Sequence, residues 1–152
     1  MSSNYFFIFF NIIILFSSIV NLNIVNLDID NYENEINSSK EIWLVEFYSG
    51  KCSTCKEFSS IWDKLVKDIN YINIGRVNID EQKGLNLATK LNALDNGIPC
   101  VRLDLGKNNY EDIMIGTEEP FPNEKILKKR IDKILKEKGK LLDEKYYINE
   151  DL

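Results

Sequence analysis

The chain has 152 residues, no histidine and a formal net charge of −5. This length favours one domain with a real hydrophobic core, and an acidic balance without a broad basic face argues against nucleic-acid binding. The lack of histidine excludes His general bases, Cys–His nucleophile pairs and His-containing zinc sites.

Residues 6–16 form an apolar run interrupted only by Asn11. Its length fits the core of a secretory signal better than a membrane span of about 20 apolar residues. The first lysine is Lys40, so a positive leader region is missing, and an uncleaved anchor is the rival reading. A strand is expected to start near Ile24, and an anchor would leave almost no linker before it. Residues 1–22 are therefore read as a cleaved signal, 23–140 as the folded domain and 141–152 as a polar, mobile tail.

Ile24 to Asp30 alternates as a short strand, followed by a short helix capped by Asp30 or Asn31. Glu41 to Ser49, "EIWLVEFYS", is almost continuously apolar and predicts a strand buried on both faces. Phe58, Ile61, Trp62, Leu65, Val66 and Ile69 recur with helical spacing. Ile72 to Asp80 reads as another strand, and residues 82–94 as a helix with Gly84 near its start. "GIPCVRLDLG" and "YEDIMIG" predict two strands joined by "GKNN". Asn123 caps a last helix that ends at Gly139. That helix is basic, with eight Lys/Arg against three acids from Glu124 to Lys140, and reads as a solvated face or a partner-binding strip. The order suits a crossover α/β core closed by a hairpin and a helix.

The chain has three cysteines, Cys52, Cys55 and Cys100. One CxxC pair, one further Cys and no His fall short of the usual four zinc ligands, so no metal or other cofactor is expected. A static disulfide and a working redox pair remain. The i, i+3 spacing at a helix start favours chemistry: unpaired N–H groups and the helix dipole stabilise a thiolate at Cys52, and Cys55 lies one turn inward. Glu46 is the one charge within Trp43 to Tyr48. A carboxyl inside such a strand is costly unless satisfied or functional. With a raised pKa it accepts the Cys55 proton; otherwise it reaches solvent at the strand end.

"WLVEFYSGKCSTCKEF", "GRVNID" and "GIPC" resemble the active-site segment, a strand and the cis-proline element of the thioredoxin family, especially the thioredoxin-like domains of protein disulfide isomerases. The resemblance spans about residues 24–139. It implies an α/β thioredoxin fold, a five-stranded mixed sheet flanked by four helices. It also implies a thiol–disulfide oxidoreductase that works on disulfide-containing client proteins and is recharged by an electron donor of thioredoxin-reductase or glutathione type. Cys52 is then the nucleophile, Cys55 the resolving thiol and partner in a Cys52–Cys55 disulfide, Glu46 the buried acid and Pro99 the cis residue. A cis Ile98–Pro99 bond leaves the backbone before it free to pair with an extended client segment. Arg76 stands where the family often has lysine near the acid, and either tunes Glu46 or lies on the surface.

Three departures stand out. Lys51 replaces the usual Trp before the first cysteine, exchanging apolar client contact for a charge expected to favour the Cys52 thiolate. Ser53-Thr54 replaces Gly-Pro or Gly-His, which weakens the likeness to strongly oxidising isomerases. Cys100 replaces the usual Thr after the cis proline; it is either a small buried side chain or a regulatory thiol. Arg102 and Asp104 make one strand face polar, and that face is expected to be less well covered. With its signal-like leader and Asn/Ile/Lys-rich composition, the chain also resembles secreted thioredoxins of apicomplexan parasites. That narrower likeness implies protein-export translocon subunits as partners at the parasitophorous vacuole, with the ER lumen as the alternative compartment.

Overall fold

A computed structural model describes residues 23–149. The signal expected over residues 1–22 lies outside them. β1 (Ile24–Asn26), β2 (Trp43–Tyr48), β3 (Asn73–Asn78), β4 (Cys100–Asp104) and β5 (Tyr110–Met114) form one sheet in the order β1-β3-β2-β4-β5. The first three strands are mutually parallel, and β4 and β5 run antiparallel to their neighbours. A π-helical turn (Glu33–Asn37), α1 (Ser53–Lys67), α2 (Gln82–Lys90) and α3 (Glu124–Lys138) flank the sheet. This is the thioredoxin fold, with the five-stranded mixed sheet and four helices that the resemblance implied.

β2 lies between β3 and β4, and its residues Trp43 to Phe47 are all buried. Strand alternation sends Leu44 to one face, where it meets Phe58, Trp62 and Leu65 of α1 and Leu127, Ile131 and Leu135 of α3. Trp43, Val45 and Phe47 go to the other, against Tyr32, Ile36 and the α2 residues Leu87 and Ala88. Gly84 allows α2 to close on the end of β3: a Cβ there would come within 2.1 Å of the Asn78 carbonyl oxygen.

Several element ends differ from the sequence expectation for local reasons. β1 stops at Asn26 because side chains capture the backbone that follows. The Asp28 carboxylate accepts from the Asp30 N–H, and the Asn31 side chain accepts from the Asp28 N–H and donates to the Asn26 carbonyl. The π-helical turn has no side-chain cap from Asp30 or Asn31. α2 ends at Lys90 rather than near residue 94, and Asn92 takes φ 51°.

The polar face of β4 is covered, contrary to expectation. Arg102 is 5% and Asp104 4% exposed. The Arg102 Nε–H donates to Asp112 at 2.7 Å, and its two terminal nitrogens donate to the Leu91 and Asn92 carbonyls at 2.6 and 3.0 Å. Its guanidinium stacks on Tyr110, 4.0 Å from the ring centroid. Asp104 accepts from the Tyr32 hydroxyl and from the Gly106 N–H. Burial raises the pKa values of both Asp104 and Tyr32, so the Tyr32 hydroxyl keeps its proton. Polar side chains can be buried when each donor and acceptor is answered, and here they are.

Part of the segment expected as a polar, mobile tail forms a hairpin with the end of the preceding domain. β6 (Gly139–Leu142) and β7 (Lys145–Ile148) pair antiparallel around Asp143 and Glu144, whose φ angles of 47° and 66° suit a tight hairpin turn. The Tyr146 N–H donates to the Tyr71 carbonyl, and the Ile148 N–H to that of Lys40. Tyr146 and Ile148 pack against the main core cluster at the start of β2, the end away from the cysteines. The charges of this segment concealed the apolar residues at alternate positions that anchor it.

Replacing Arg102 removes the cation that ties β4 to β5 and to the end of α2. Arg102→Met is expected to lower the unfolding free energy by about 3 kcal/mol, because it strands two carbonyls and a carboxylate. Urea unfolding measures this, and a loss below about 0.5 kcal/mol, typical of a neutral surface change, would refute the tie.

Candidate active site

β2 ends at Tyr48, and the chain turns through Ser49, Gly50 and Lys51 into α1. Asp80, just past β3, holds that turn. Its carboxylate accepts from the Ser49 hydroxyl at 2.7 Å and the Gly50 N–H at 2.8 Å, and Ser49 Oγ accepts from the Lys51 N–H at 3.0 Å. These bonds, with the charge of Lys51, keep the Asp80 pKa low. Sequence reasoning missed Asp80, because its partners are about thirty residues away.

Cys52 occupies the N-cap of α1 with extended backbone, and its sulfur accepts from the Cys55 N–H at 3.2 Å. The sulfur thus serves the helix end that an oxygen usually serves. Thr54 Oγ1 lies 2.9 Å from the Cys52 sulfur, a contact either atom can donate. Partial burial pushes the Cys52 pKa up, but the hydrogen bonds from Cys55 and Thr54 outweigh it and leave the pKa below the ordinary thiol value. Lys51 is exposed, and its charge acts on Asp80. Thr54, read only as part of a dipeptide lacking His, is a side chain that touches the sulfur.

Cys55 is buried one turn inward, and both thiols are free in this structure. Burial, the hydrogen bond with Cys52 and the nearby Glu46 charge push its pKa up to about 12. Cys55 therefore cannot act as a thiolate near neutral pH without a proton acceptor. Glu46 is 1% exposed on the sheet face that α1 covers, so it does not reach solvent at the strand end. Burial raises its pKa to about 7, while Arg76 opposes that shift through its charge and a hydrogen bond from Nε at 2.6 Å. Arg76 stands opposite Glu46 in the β2–β3 register and stacks on Tyr48, 4.1 Å from the ring centroid. Of the two readings of Arg76, the structure supports tuning of Glu46.

The Ile98–Pro99 peptide bond is cis. It puts the Ile98 carbonyl beside the cysteine, where it accepts from the Thr54 hydroxyl at 3.3 Å and lies 3.9 Å from the Cys52 sulfur. Gly116, beyond β5, lets this loop pack closely: a Cβ there would lie 2.4 Å from the Ile98 nitrogen. Cys100 is 1% exposed within the Phe47–Leu87 cluster and packs as a small apolar residue. Burial raises its pKa to about 11.

A thioredoxin fold with two free thiols at the start of the helix after its central strand, beside the carbonyl of a cis Ile98–Pro99 bond, is the arrangement of a thioredoxin-like domain. The thioredoxin family profile matches residues 23–120, and the chain belongs to that family. Among curated relatives it is 31% identical over 99 residues to the protein disulfide isomerase-like 2-3 of Oryza sativa subsp. japonica, covering 64% of this chain and 20% of that protein. It is 29% identical over 97 residues to the protein disulfide-isomerase A6 of Mus musculus, covering 61% and 21%. The chain thus spans about a fifth of the length of these relatives. Among solved structures it is similar to the J-Trx1 fragment of ERdj5, with a TM-score of 0.58, 21% identity and coverage of 72% of this chain and 49% of that one. For Chlamydomonas reinhardtii thioredoxin f2 the TM-score is 0.55, with 20% identity and coverage of 76% and 96%.

The Glu46 carboxyl ionises near pH 7 when folded and near 4.5 when unfolded. Its folded pKa is the higher, so its favourable contribution is full below pH 4.5 and fades as pH rises through 7. Relative to Glu46→Gln, the wild type should lose about 3 kcal/mol of stability between pH 4.5 and 8. Parallel stability curves in urea across that range would contradict the assignment. Iodoacetamide at neutral pH should modify Cys52 and spare Cys55 and Cys100 in the folded protein, as read by peptide mass mapping. Equal labelling of all three would overturn the ordering of the thiols.

Proposed function

We propose that this protein is a thiol–disulfide oxidoreductase that reduces disulfides in client proteins. The observation that carries this reading is the asymmetric pair: Cys52 favoured as a thiolate at a helix cap, and Cys55 buried as a thiol with Glu46 nearby. The Cys52 thiolate attacks a client disulfide, whose S–S bond breaks as a Cys52–client bond forms. The departing client thiolate takes up a proton. Glu46, ionised for part of the time near neutral pH, accepts the Cys55 proton. The Cys55 thiolate then attacks the Cys52 sulfur and releases the second client thiolate. The client gains two electrons, and the protein is left with a Cys52–Cys55 disulfide. A donor thiol of thioredoxin-reductase or glutathione type returns it to the dithiol.

Ile98 and Pro99 supply the backbone edge for an extended client segment, and Lys51 offers a cation in place of an aromatic platform. We place the protein in the secretory pathway, as a secreted reductase that helps cargo through a protein-export translocon. The apolar run of residues 6–16 and the parasite-thioredoxin likeness support that placement. The isomerase relatives favour the ER lumen as the alternative compartment. Among the described residues no helix is long and apolar enough to cross a membrane.

Wild-type protein should reduce insulin disulfides in the presence of dithiothreitol, and Cys52→Ala should fall to the rate of dithiothreitol alone. Cys55→Ser should accumulate mixed disulfides through Cys52. Equal turnover by wild type and Cys52→Ala would mark the protein as a thioredoxin-fold adaptor, and clients trapped through Cys100 would overturn the role assignment.

A further inference from the structure

We propose that Thr54 is a positioning residue for the thiol chemistry: its hydroxyl proton turns from the Ile98 carbonyl to the Cys52 sulfur as that sulfur becomes anionic. The inference rests on the oxidoreductase reading for its use, though not for its test. Three atoms form the device. Thr54 Oγ1 lies 2.9 Å from the Cys52 sulfur and 3.3 Å from the Ile98 oxygen, and the sulfur lies 3.9 Å from that same oxygen.

A hydroxyl has one proton and a carbonyl has none to give. While Cys52 is a thiol, the Thr54 O–H and the Cys52 S–H can both point at the Ile98 oxygen, and the sulfur is only a weak acceptor. Loss of the thiol proton turns the sulfur into a charged acceptor with nothing to donate. The Thr54 proton is then drawn to it, because a hydrogen bond to an ion is stronger than one between neutral groups. The Cys55 N–H also donates to this sulfur, at 3.2 Å, but it is fixed by the backbone of α1, and the Cys55 thiol hydrogen-bonds the sulfur as well. Thr54 is the rotor that reaches both the sulfur and the Ile98 carbonyl, able to serve the anion and to leave it.

The rotor also connects two parts of the site. The Ile98 carbonyl belongs to the edge on which an extended client segment is proposed to lie. Once Cys52 joins a client in a mixed disulfide, its sulfur is neutral again and the hydroxyl returns to that carbonyl. The CxxC dipeptide thus takes part through a side chain that bridges α1 to the loop before β4.

The test measures ionisation of Cys52 in the full protein, from the pH dependence of its alkylation by iodoacetamide, with the modified cysteine identified by mass. Thr54→Val keeps the branched shape and loses the hydroxyl. It should raise the Cys52 pKa by about one unit, the size expected for losing one hydrogen bond to a charged group, so that the thiolate fraction at pH 7 falls about tenfold. Thr54→Ala should do the same, and Thr54→Ser, which keeps the hydroxyl, should titrate with the wild type. Thermal melts identify any variant that has failed to fold, and the Ala and Ser forms then decide the matter. Titration of Val and Ala forms with the wild type would overturn the proposal, as would a Ser form that shifts with them. Alkylation needs no client. A shifted pKa in Thr54→Val alongside absent insulin turnover by the wild type would therefore sink the reductase reading and leave this one standing.

Discussion

A strand covered on both faces has no room for an unanswered charge, and β2 carries one. Glu46 sits among Leu44, Val45 and Phe47, all essentially inaccessible, and its carboxylate is met by Arg76 from the neighbouring strand at 2.6 Å. Burial and the guanidinium act in opposite directions, and their balance leaves the carboxyl poised near 7. Full neutralisation by Arg76 would make Glu46 a permanent anion. Burial alone would keep it a permanent acid.

The same strand decides where the thiols stand. β2 ends at Tyr48, and four residues later the chain is already capping α1 through the Cys52 sulfur. The turn between is short, so its geometry depends on the Asp80 carboxylate that holds Ser49 and Gly50. Donors at the helix start lower the Cys52 pKa, and burial one turn into the core raises that of Cys55. One helix terminus therefore produces two unlike thiols.

The two buried polar clusters of the sheet are built differently. Asp104 accepts from Tyr32 and Gly106 while Arg102 is fully engaged by Asp112 and two carbonyls, so that network fastens β4 to its surroundings. Glu46 is met by Arg76, which is itself partly exposed and stacked on Tyr48.

Much of this protein was legible without coordinates. The buried strand around Glu46, the helical spacing from Phe58 to Ile69, the Asn123 cap and the Cys52–Cys55 spacing are local patterns, set by residues within a few positions of one another. They determined the order of the elements and the identity of the two thiols. The tertiary structure alone decided that Arg102 and Asp104 are covered and that the last described residues form a hairpin. It also decided that Arg76 faces Glu46, that Asp80 holds the turn, and that Thr54 lies between Cys52 and Ile98. Apart from the hairpin's own pairing and the Cys52–Thr54 and Asp104–Gly106 contacts, these outcomes join residues ten or more positions apart. They depend on strand register and on which face of the sheet each helix covers, and neither can be read from a stretch of neighbouring residues.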